Sequence, residues 1–205
     1  MSAARKLAVV ALVLALAVWL VRGRGGDSEE PVVELGRDVN ECTENLRAIH
    51  AGFLRHAQRT GGALPEGAGV AVLGALVAEG DLPDTPAVRA QLTCPGPGAH
   101  PVSAVDFRRP EALGGADSAY AVRDLMDFPL ARFPAGGGAS EALVACDNAR
   151  GMNHAGCMNV LYTDGSVRTF TLPQEIERGT LPPGTRTIPV GPGSPLPDLR
   201  VLSPD

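Results

Sequence analysis

The chain has 205 residues, of which 44% are hydrophobic and eight are aromatic, so its length and composition fit one main domain with a modest aliphatic core. Residues 1–24 contain four basic and no acidic side chains. This leaves 14 Lys and Arg against 23 Asp and Glu in the rest of the chain, a net charge of −9 (14 minus 23). An acidic body repels the phosphate groups of nucleic acids, so we expect no nucleic-acid partner.

An apolar run opens the chain. Leu7 to Val21 contains 15 consecutive apolar residues. As a helix this run spans about 22 Å, which is short against a hydrocarbon core of ~30 Å. Lys6 and Arg22 flank the run, and their long side chains can reach toward the polar interfaces. We predict a single transmembrane anchor over residues 1–24; a cleaved secretory signal is the alternative.

Four cysteines are dispersed through the chain: Cys42, Cys94, Cys146 and Cys157. None of them forms a CxxC or zinc-finger spacing. An even number of dispersed cysteines beyond an export segment is typical of disulfides in an oxidising compartment. Three pairings are possible; we expect Cys42 with Cys94 and Cys146 with Cys157, since Cys146 and Cys157 flank one loop between predicted strands.

Two helices are predicted in the first half of the body. After a polar linker over 25–37, the spacing of apolar residues predicts a helix over 38–60, with Asp38 as N-cap, Glu41 completing a capping box, and glycines at the end. The apolar positions recur every three or four residues: Val39, Cys42, Leu46, Ile49 and Phe53. A shorter helix follows from Val70 and ends at Gly80.

Strand signals come later in the chain. Residues 117–124 and 140–147 are short strand candidates, and Asp164-Gly165 between two alternating segments predicts a hairpin with a two-residue turn. That turn would place Tyr162 opposite Val167. The last 33 residues, 173–205, contain eight prolines and four glycines, and we expect a Pro/Gly-rich extended or disordered tail.

His154 and Asp164 are the two candidate functional residues of this hairpin. At ~3.3 Å per residue they would lie roughly 30 Å apart at opposite ends of the ribbon, so they do not form a dyad. The turn accounts for Asp164. For His154 two interpretations stay open: an imidazole bonded to backbone at the strand entry, or a ligand or contact residue.

The segment "NHAGCMNVLYTDGSVRTF" contains a histidine, nine residues and then Asp-Gly. Together with "CTENLRAIHAGFLRHAQRTGGALP" and "LTCPGPG" it resembles a group of pilin-like bacterial envelope proteins that carry an H-x9-DG motif near the C-terminus. These proteins are compared with type II secretion pseudopilins. The resemblance implies an α+β fold in which an N-terminal membrane helix leads into an amphipathic helix packed on a small antiparallel sheet. The pilin-like domain would cover residues 38–172.

The same resemblance implies a role without catalysis. We expect a membrane-anchored protein of the bacterial inner membrane, with a single pass and its C-terminal domain in the periplasm or at the cell exterior. It would act through contacts with other envelope or pilin-like proteins, in a secretion or surface assembly. His154, Asp164 and Gly165 would be structural or contact residues of the motif.

Sequence motifs for catalysis are absent from the chain, which has no phosphate-binding glycine loop, nucleophile elbow or HExxH. We expect no enzyme and no cofactor. His50 and His56 are six residues apart, which puts them about 120° apart on a helix, unsuitable for one metal. The alternative function is an extracytoplasmic metal- or ligand-binding module at the His154 end of the hairpin, with Asp147 and Cys157 as further ligands. A secreted hydrolase is a third hypothesis, for which no acidic pair or nucleophile–base set is found.

Overall fold

The structure is a computed structural model that describes residues 30–99, 105–130, 133, 140–146 and 151–205. The fold is that of the unit Leu35–Asp205. Its described residues form four α-helices and five strands, which confirms the predicted α+β class. The helices are α1 (Glu30–Thr60), α2 (Val70–Ala78), α3 (Pro86–Gln91) and α4 (Leu172–Glu177), and the strands are β1 (Tyr120–Arg123), β2 (Ala142–Cys146), β3 (Cys157–Tyr162), β4 (Val167–Thr171) and β5 (Leu202–Ser203).

Helix α1 supplies one long apolar stripe to the core. Its buried residues follow the predicted spacing of three and four: Cys42, Leu46, Ile49, Phe53 and Ala57. The helix ends where two glycines adopt positive φ angles, 74° at Gly61 and 104° at Gly62. The Gly62 N–H then bonds to the Ala57 carbonyl at 2.8 Å, which closes the helix end as predicted.

The start of α1 differs from the prediction. The described residues are helical from Glu30 onward, so part of the expected 25–37 linker is helical and Asp38 lies inside the helix rather than at its N-cap. The carboxylate of Asp38 instead contacts His154, more than one hundred residues away in sequence. A long-range partner of this kind leaves no local sequence signal, and the capping-box pattern was therefore misleading.

The five strands form one antiparallel sheet in the order β4-β3-β2-β1-β5. Helix α1 packs against β3, where the buried Asn159 amide donates to the Val39 carbonyl at 2.9 Å and to the Thr43 hydroxyl at 3.2 Å. Successive side chains of a strand point to opposite faces, so Tyr162 faces away from α1. Its hydroxyl donates to Asp198 at 2.6 Å in the C-terminal segment. Both faces of β3 are therefore covered.

The segment predicted as a tail, 173–205, is part of the domain. Leu181, Ile188 and Leu199 are buried in the core, and β5 pairs with β1 at the edge of the sheet. The many prolines and glycines predicted an extended or disordered tail, whereas the segment consists of turns and short elements. The apolar residues between the prolines and glycines are spaced widely and gave no periodic signal. The segment contains only short elements, such as the 3-10 helix Pro197–Leu199.

Among the described residues, no helix is long and apolar enough to cross a membrane. The predicted anchor over 1–24 lies outside the described residues.

Candidate metal centre

The H-x9-DG motif is split by β3 into two ends with different surroundings. Asp164 and Gly165 form the turn after β3, and His154 lies in the loop before it. The structure therefore keeps His154 and Asp164 apart, as the sequence predicted. It brings His154 together with three of the four cysteines instead.

The Asp164-Gly165 end of the motif is a tight hairpin turn that packs against α1. Within this turn only Gly165 has a positive φ angle, 81°. The pairing of Leu161 with Val167 shows that the loop is one residue longer than the predicted two-residue turn. The Asp164 carboxylate accepts from the backbone N–H and the hydroxyl of Ser166, at 2.9 and 2.6 Å. These bonds keep the pKa of Asp164 low. Asp164 is thus a turn residue.

Gly165 is also needed for close packing. A Cβ at this position would lie 2.9 Å from Cε1 of His50, a residue of α1. The His50 Nε2 lies 3.2 Å from the Thr163 carbonyl in the same turn. His50 therefore docks this end of the hairpin onto α1.

The other end of the hairpin contributes to a buried group of three thiols and one imidazole, here called the Cys3His cluster: Cys42, Cys94, Cys146 and His154. Four separate elements supply its members. Cys42 comes from the apolar stripe of α1, Cys94 from the loop after α3, Cys146 from the last position of β2, and His154 from the loop before β3. Each side chain is at most 5% exposed.

The two loops of the cluster are held against each other by glycines. Gly98 donates its N–H to the Asn153 carbonyl at 3.0 Å. A Cβ on Gly96 would lie 2.2 Å from the same carbonyl oxygen, so no other residue fits there without movement. The "LTCPGPG" segment therefore brings Cys94 next to His154 because its glycines allow the backbones to approach.

The four ligand atoms form a compact set, with every pair within 4.8 Å. The sulfur of Cys94 lies 3.7 Å from that of Cys146 and 4.0 Å from that of Cys42. The Cys42 and Cys146 sulfurs are 3.2 Å apart, and Nε2 of His154 is 3.1 Å from the Cys94 sulfur. Ligand atoms around one tetrahedral zinc ion, at about 2.3 Å for sulfur and 2.0–2.1 Å for nitrogen, are separated by roughly 3.6–3.8 Å. The four separations, from 3.1 to 4.0 Å, lie on both sides of that value.

A carboxylate orients the imidazole. Nδ1 of His154 lies 2.6 Å from Oδ2 of Asp38, a geometry in which Nδ1–H donates and Nε2 is left as the free ligand atom. Nε2 is the nitrogen that faces the thiols. A histidine that ligates a metal is usually held by a carboxylate or carbonyl in this way.

The Cys42 thiol and the His154 imidazole of the cluster shift in opposite directions from their usual pKa values. Hydrogen bonds from Cys146 and Cys94 hold the pKa of the Cys42 thiol far below its usual range. Burial opposes a charged imidazole, but the contacts with Cys42 and Cys94 outweigh it and raise the pKa of His154 to about 11. Burial raises the pKa of Cys146 strongly. Without a metal the cluster thus favours a Cys42 thiolate beside a protonated His154, and a metal ion must displace that proton to bind Nε2.

The two predicted disulfides are not present in the structure. All four cysteines are free, including Cys42 and Cys94, which share the cluster but are not bonded. Cys146 faces Cys42 and Cys94 rather than Cys157, because Cys146 ends β2 on the face toward α1. Cys157 is half-buried outside the Cys3His cluster.

The ligand set weighed from the sequence shares only His154 with the observed one. Asp147 lies outside the described residues, and Cys157 is not a member of the cluster. Sequence reasoning missed Cys42, Cys94 and Cys146 as ligands because they are 52 residues apart in succession and follow no ligand spacing. The sequence signal that could have indicated the site is the position of Cys42. It lies on the apolar stripe of a predicted helix, and that stripe is expected to pack against the sheet.

A second group of acidic residues surrounds an arginine. His56 and Asp81 are buried, and His56 Nδ1 lies 2.8 Å from the Asp81 carboxylate. Arg59 donates to that same carboxylate at 2.7 Å and also pairs with Glu79. The guanidinium occupies the space that a metal ion would need, so this group is an ion-pair cluster that ties α1 to the end of α2.

Fold and site together define an α+β domain with a buried Cys3His cluster. No family model, curated protein or solved structure matches the chain. The site is therefore interpreted from its own chemistry.

Proposed function

We propose that this protein is a non-enzymatic, metal-stabilised domain in which Cys42, Cys94, Cys146 and His154 bind one zinc ion. The observation that carries the proposal is the convergence of these four ligand atoms, within 4.8 Å of one another, from four separate elements. A cysteine that is buried only for packing does not require a polar partner. Here the Cys94 sulfur lies 3.1 Å from Nε2 of His154.

The donor set favours zinc. Thiolate and imidazole ligands in a tetrahedral arrangement are typical of Zn²⁺, whereas Mg²⁺ and Ca²⁺ need oxygen ligands. The Asp38 carboxylate completes the arrangement because it holds His154 through Nδ1. Asp38 is a positioning residue and not a ligand.

The role of the metal is structural. Four protein ligands fill a tetrahedral zinc ion, whereas a catalytic zinc keeps one position for water or substrate. The ligand side chains are buried, which fits a closed structural site rather than an open catalytic one. The metal would join α1, β2 and the two loops at one point, and its binding free energy would add to the stability of the fold.

Metal analysis of the full chain tests this proposal. Protein purified in reducing, zinc-supplemented buffer and then desalted should contain one zinc per chain, and a strong chelator should lower its melting temperature. Cys94→Ser should lose the metal, and Cys157→Ser is the matched control that should keep it. Wild-type protein that carries no zinc, with a melting temperature unaffected by chelator, would refute the proposal.

We further propose a wider role as a membrane-anchored envelope protein that acts through protein contacts, as pseudopilin-like proteins do. This role is supported by the H-x9-DG motif at His154, Asp164 and Gly165, by the apolar run over residues 7–21, and by a helix packed on an antiparallel sheet. The expected location is the bacterial inner membrane, with the domain outside the cytoplasm. Crosslinking in native membranes followed by purification should recover other envelope proteins. Recovery of the chain alone from the soluble fraction would contradict it.

A further inference from the structure

The Cys3His cluster contains one pair of sulfurs that is closer than a shared zinc ion requires. Cys42 and Cys146 are 3.2 Å apart, against roughly 3.8 Å for two thiolates on one tetrahedral zinc. Cys94 is 3.7 and 4.0 Å from these two sulfurs, close to the tetrahedral value. The pair Cys42–Cys146 is thus the one best placed to form a disulfide, whose sulfurs are about 2.05 Å apart.

We propose that the zinc site is also a redox switch: a small hydroperoxide oxidises Cys42 and Cys146 to a disulfide and the zinc ion is released. This inference rests on the proposed zinc site. Hydrogen peroxide is small and uncharged, which suits thiols that are no more than 5% exposed. The loss of two of its four ligands leaves the ion with only Cys94 and His154.

The chemistry balances with peroxide as the only oxidant. One zinc-bound thiolate attacks a peroxide oxygen, the O–O bond breaks, and a sulfenic acid and a hydroxide form. The second thiolate attacks the sulfenic sulfur and expels another hydroxide as the S–S bond forms. The two sulfurs together lose two electrons, the peroxide gains two, and two protons from solvent convert both hydroxides to water.

The positions of the two cysteines determine what the oxidised domain keeps. Cys42 lies in α1 and Cys146 at the end of β2, so the disulfide preserves the connection between helix and sheet. The members of the cluster that are set free, Cys94 and His154, both lie in loops. We therefore expect oxidation to loosen these two loops while the helix and the sheet remain packed.

Peptide mapping of zinc-loaded full-length protein tests the switch. After peroxide treatment, alkylation with N-ethylmaleimide in denaturant and trypsin digestion, the four cysteines fall on separate peptides, 38–47, 90–108, 133–150 and 151–168. We expect a crosslink between 38–47 and 133–150 that forms at the rate of zinc release, measured with a chromogenic chelator. Alkylated Cys94 and Cys157 should remain. Dithiothreitol and zinc should restore the starting state.

The controls separate this inference from the proposed function. Cys157→Ser should release zinc and form the same crosslink as the wild type. Three outcomes refute the switch but not the zinc site. In the first, zinc is retained under peroxide. In the others zinc is released, but the crosslink contains Cys94, or sulfinic acid forms without any crosslink. Protein that binds no zinc at all refutes both. Alkylation without denaturant adds a second test, since Cys94 should react faster after oxidation than before.

Discussion

Replacement of Asp38 by alanine tests whether the carboxylate sets the metal affinity of His154. In the structure Oδ2 of Asp38 accepts the Nδ1–H of a fully buried imidazole at 2.6 Å, and no described residue donates to the other oxygen, Oδ1. Among the described residues, His154 is therefore the hydrogen-bond partner of the Asp38 carboxylate. Loss of such a partner typically weakens metal binding about 10- to 100-fold, or about 1.4–2.7 kcal/mol.

Two substitutions divide this effect into charge and hydrogen bonding. Asp38→Ala removes both, and we expect it to lose affinity near the upper end of the range. Asp38→Asn keeps an oxygen that can accept from Nδ1–H and should lose about tenfold. The position is inside α1, where neither change breaks the helix.

Competition with a chromophoric chelator gives the zinc affinity of each variant, and Co²⁺ substitution reports the ligand set by its visible spectrum. Asp164→Asn is the matched control, because that carboxylate accepts from Ser166 at the turn end of the hairpin and is not a member of the Cys3His cluster, so the control should bind zinc as the wild type does. Asp38→Ala with wild-type affinity and an unchanged Co²⁺ spectrum would refute the positioning role of Asp38.

Three further predictions follow from other parts of the fold. Gly165→Val should lower the free energy of unfolding in urea by about 1–3 kcal/mol, because φ is 81° and the added atoms would meet the His50 ring. Asp164→Ala should lower it by only about 1 kcal/mol, because the turn is exposed. Equal losses in the two variants would contradict this order. The pKa of Asp81 is lowered, chiefly by its hydrogen bond with Arg59, so its contribution to stability is full above the unfolded pKa of about 3.9 and is lost as the pH falls below it. The free energy of unfolding, measured at several pH values, should therefore fall less steeply with acid in Asp81→Asn than in the wild type. An equal fall in both would exclude the Asp81 carboxylate as a cause of the acid sensitivity. If residues 7–21 form an anchor, the full chain should remain with membranes after carbonate extraction, and release into the wash would contradict the anchor.

The first two helices and the hairpin could be predicted because their signals are local. The end of α1 at Thr60 followed from two glycines, and the hairpin from Asp164-Gly165 between alternating segments. The exact register did not follow, because Asp-Gly is compatible both with a two-residue turn and with the longer turn observed here.

The candidate site could be predicted only in part. His154 stood out through its motif, and the His154 end of the hairpin was weighed as a ligand site. The three cysteines were assigned to disulfides because sequence spacing shows nothing about which side chains meet in the core. Cys94 is brought to His154 by glycines that let two loops approach. Asp38 is brought there by a helix that already includes the residues before it, contrary to its capping pattern.

The observed site also changes the argument about the compartment. Four dispersed cysteines favoured an oxidising environment when they were interpreted as two disulfides, but three of them share the Cys3His cluster and all four are free. A zinc site of thiolates needs those thiols reduced when the metal binds. Cysteine usage therefore no longer supports a location outside the cytoplasm, and that proposal now depends on the apolar run over 7–21 and on the resemblance to envelope proteins. If the domain is exported, the zinc ion must bind before peroxide or a disulfide catalyst reaches Cys42 and Cys146, since their 3.2 Å separation favours the competing disulfide. The ratio of zinc-bound to disulfide-linked protein, measured on material isolated from the native membrane under acid quench, would show which state the cell maintains.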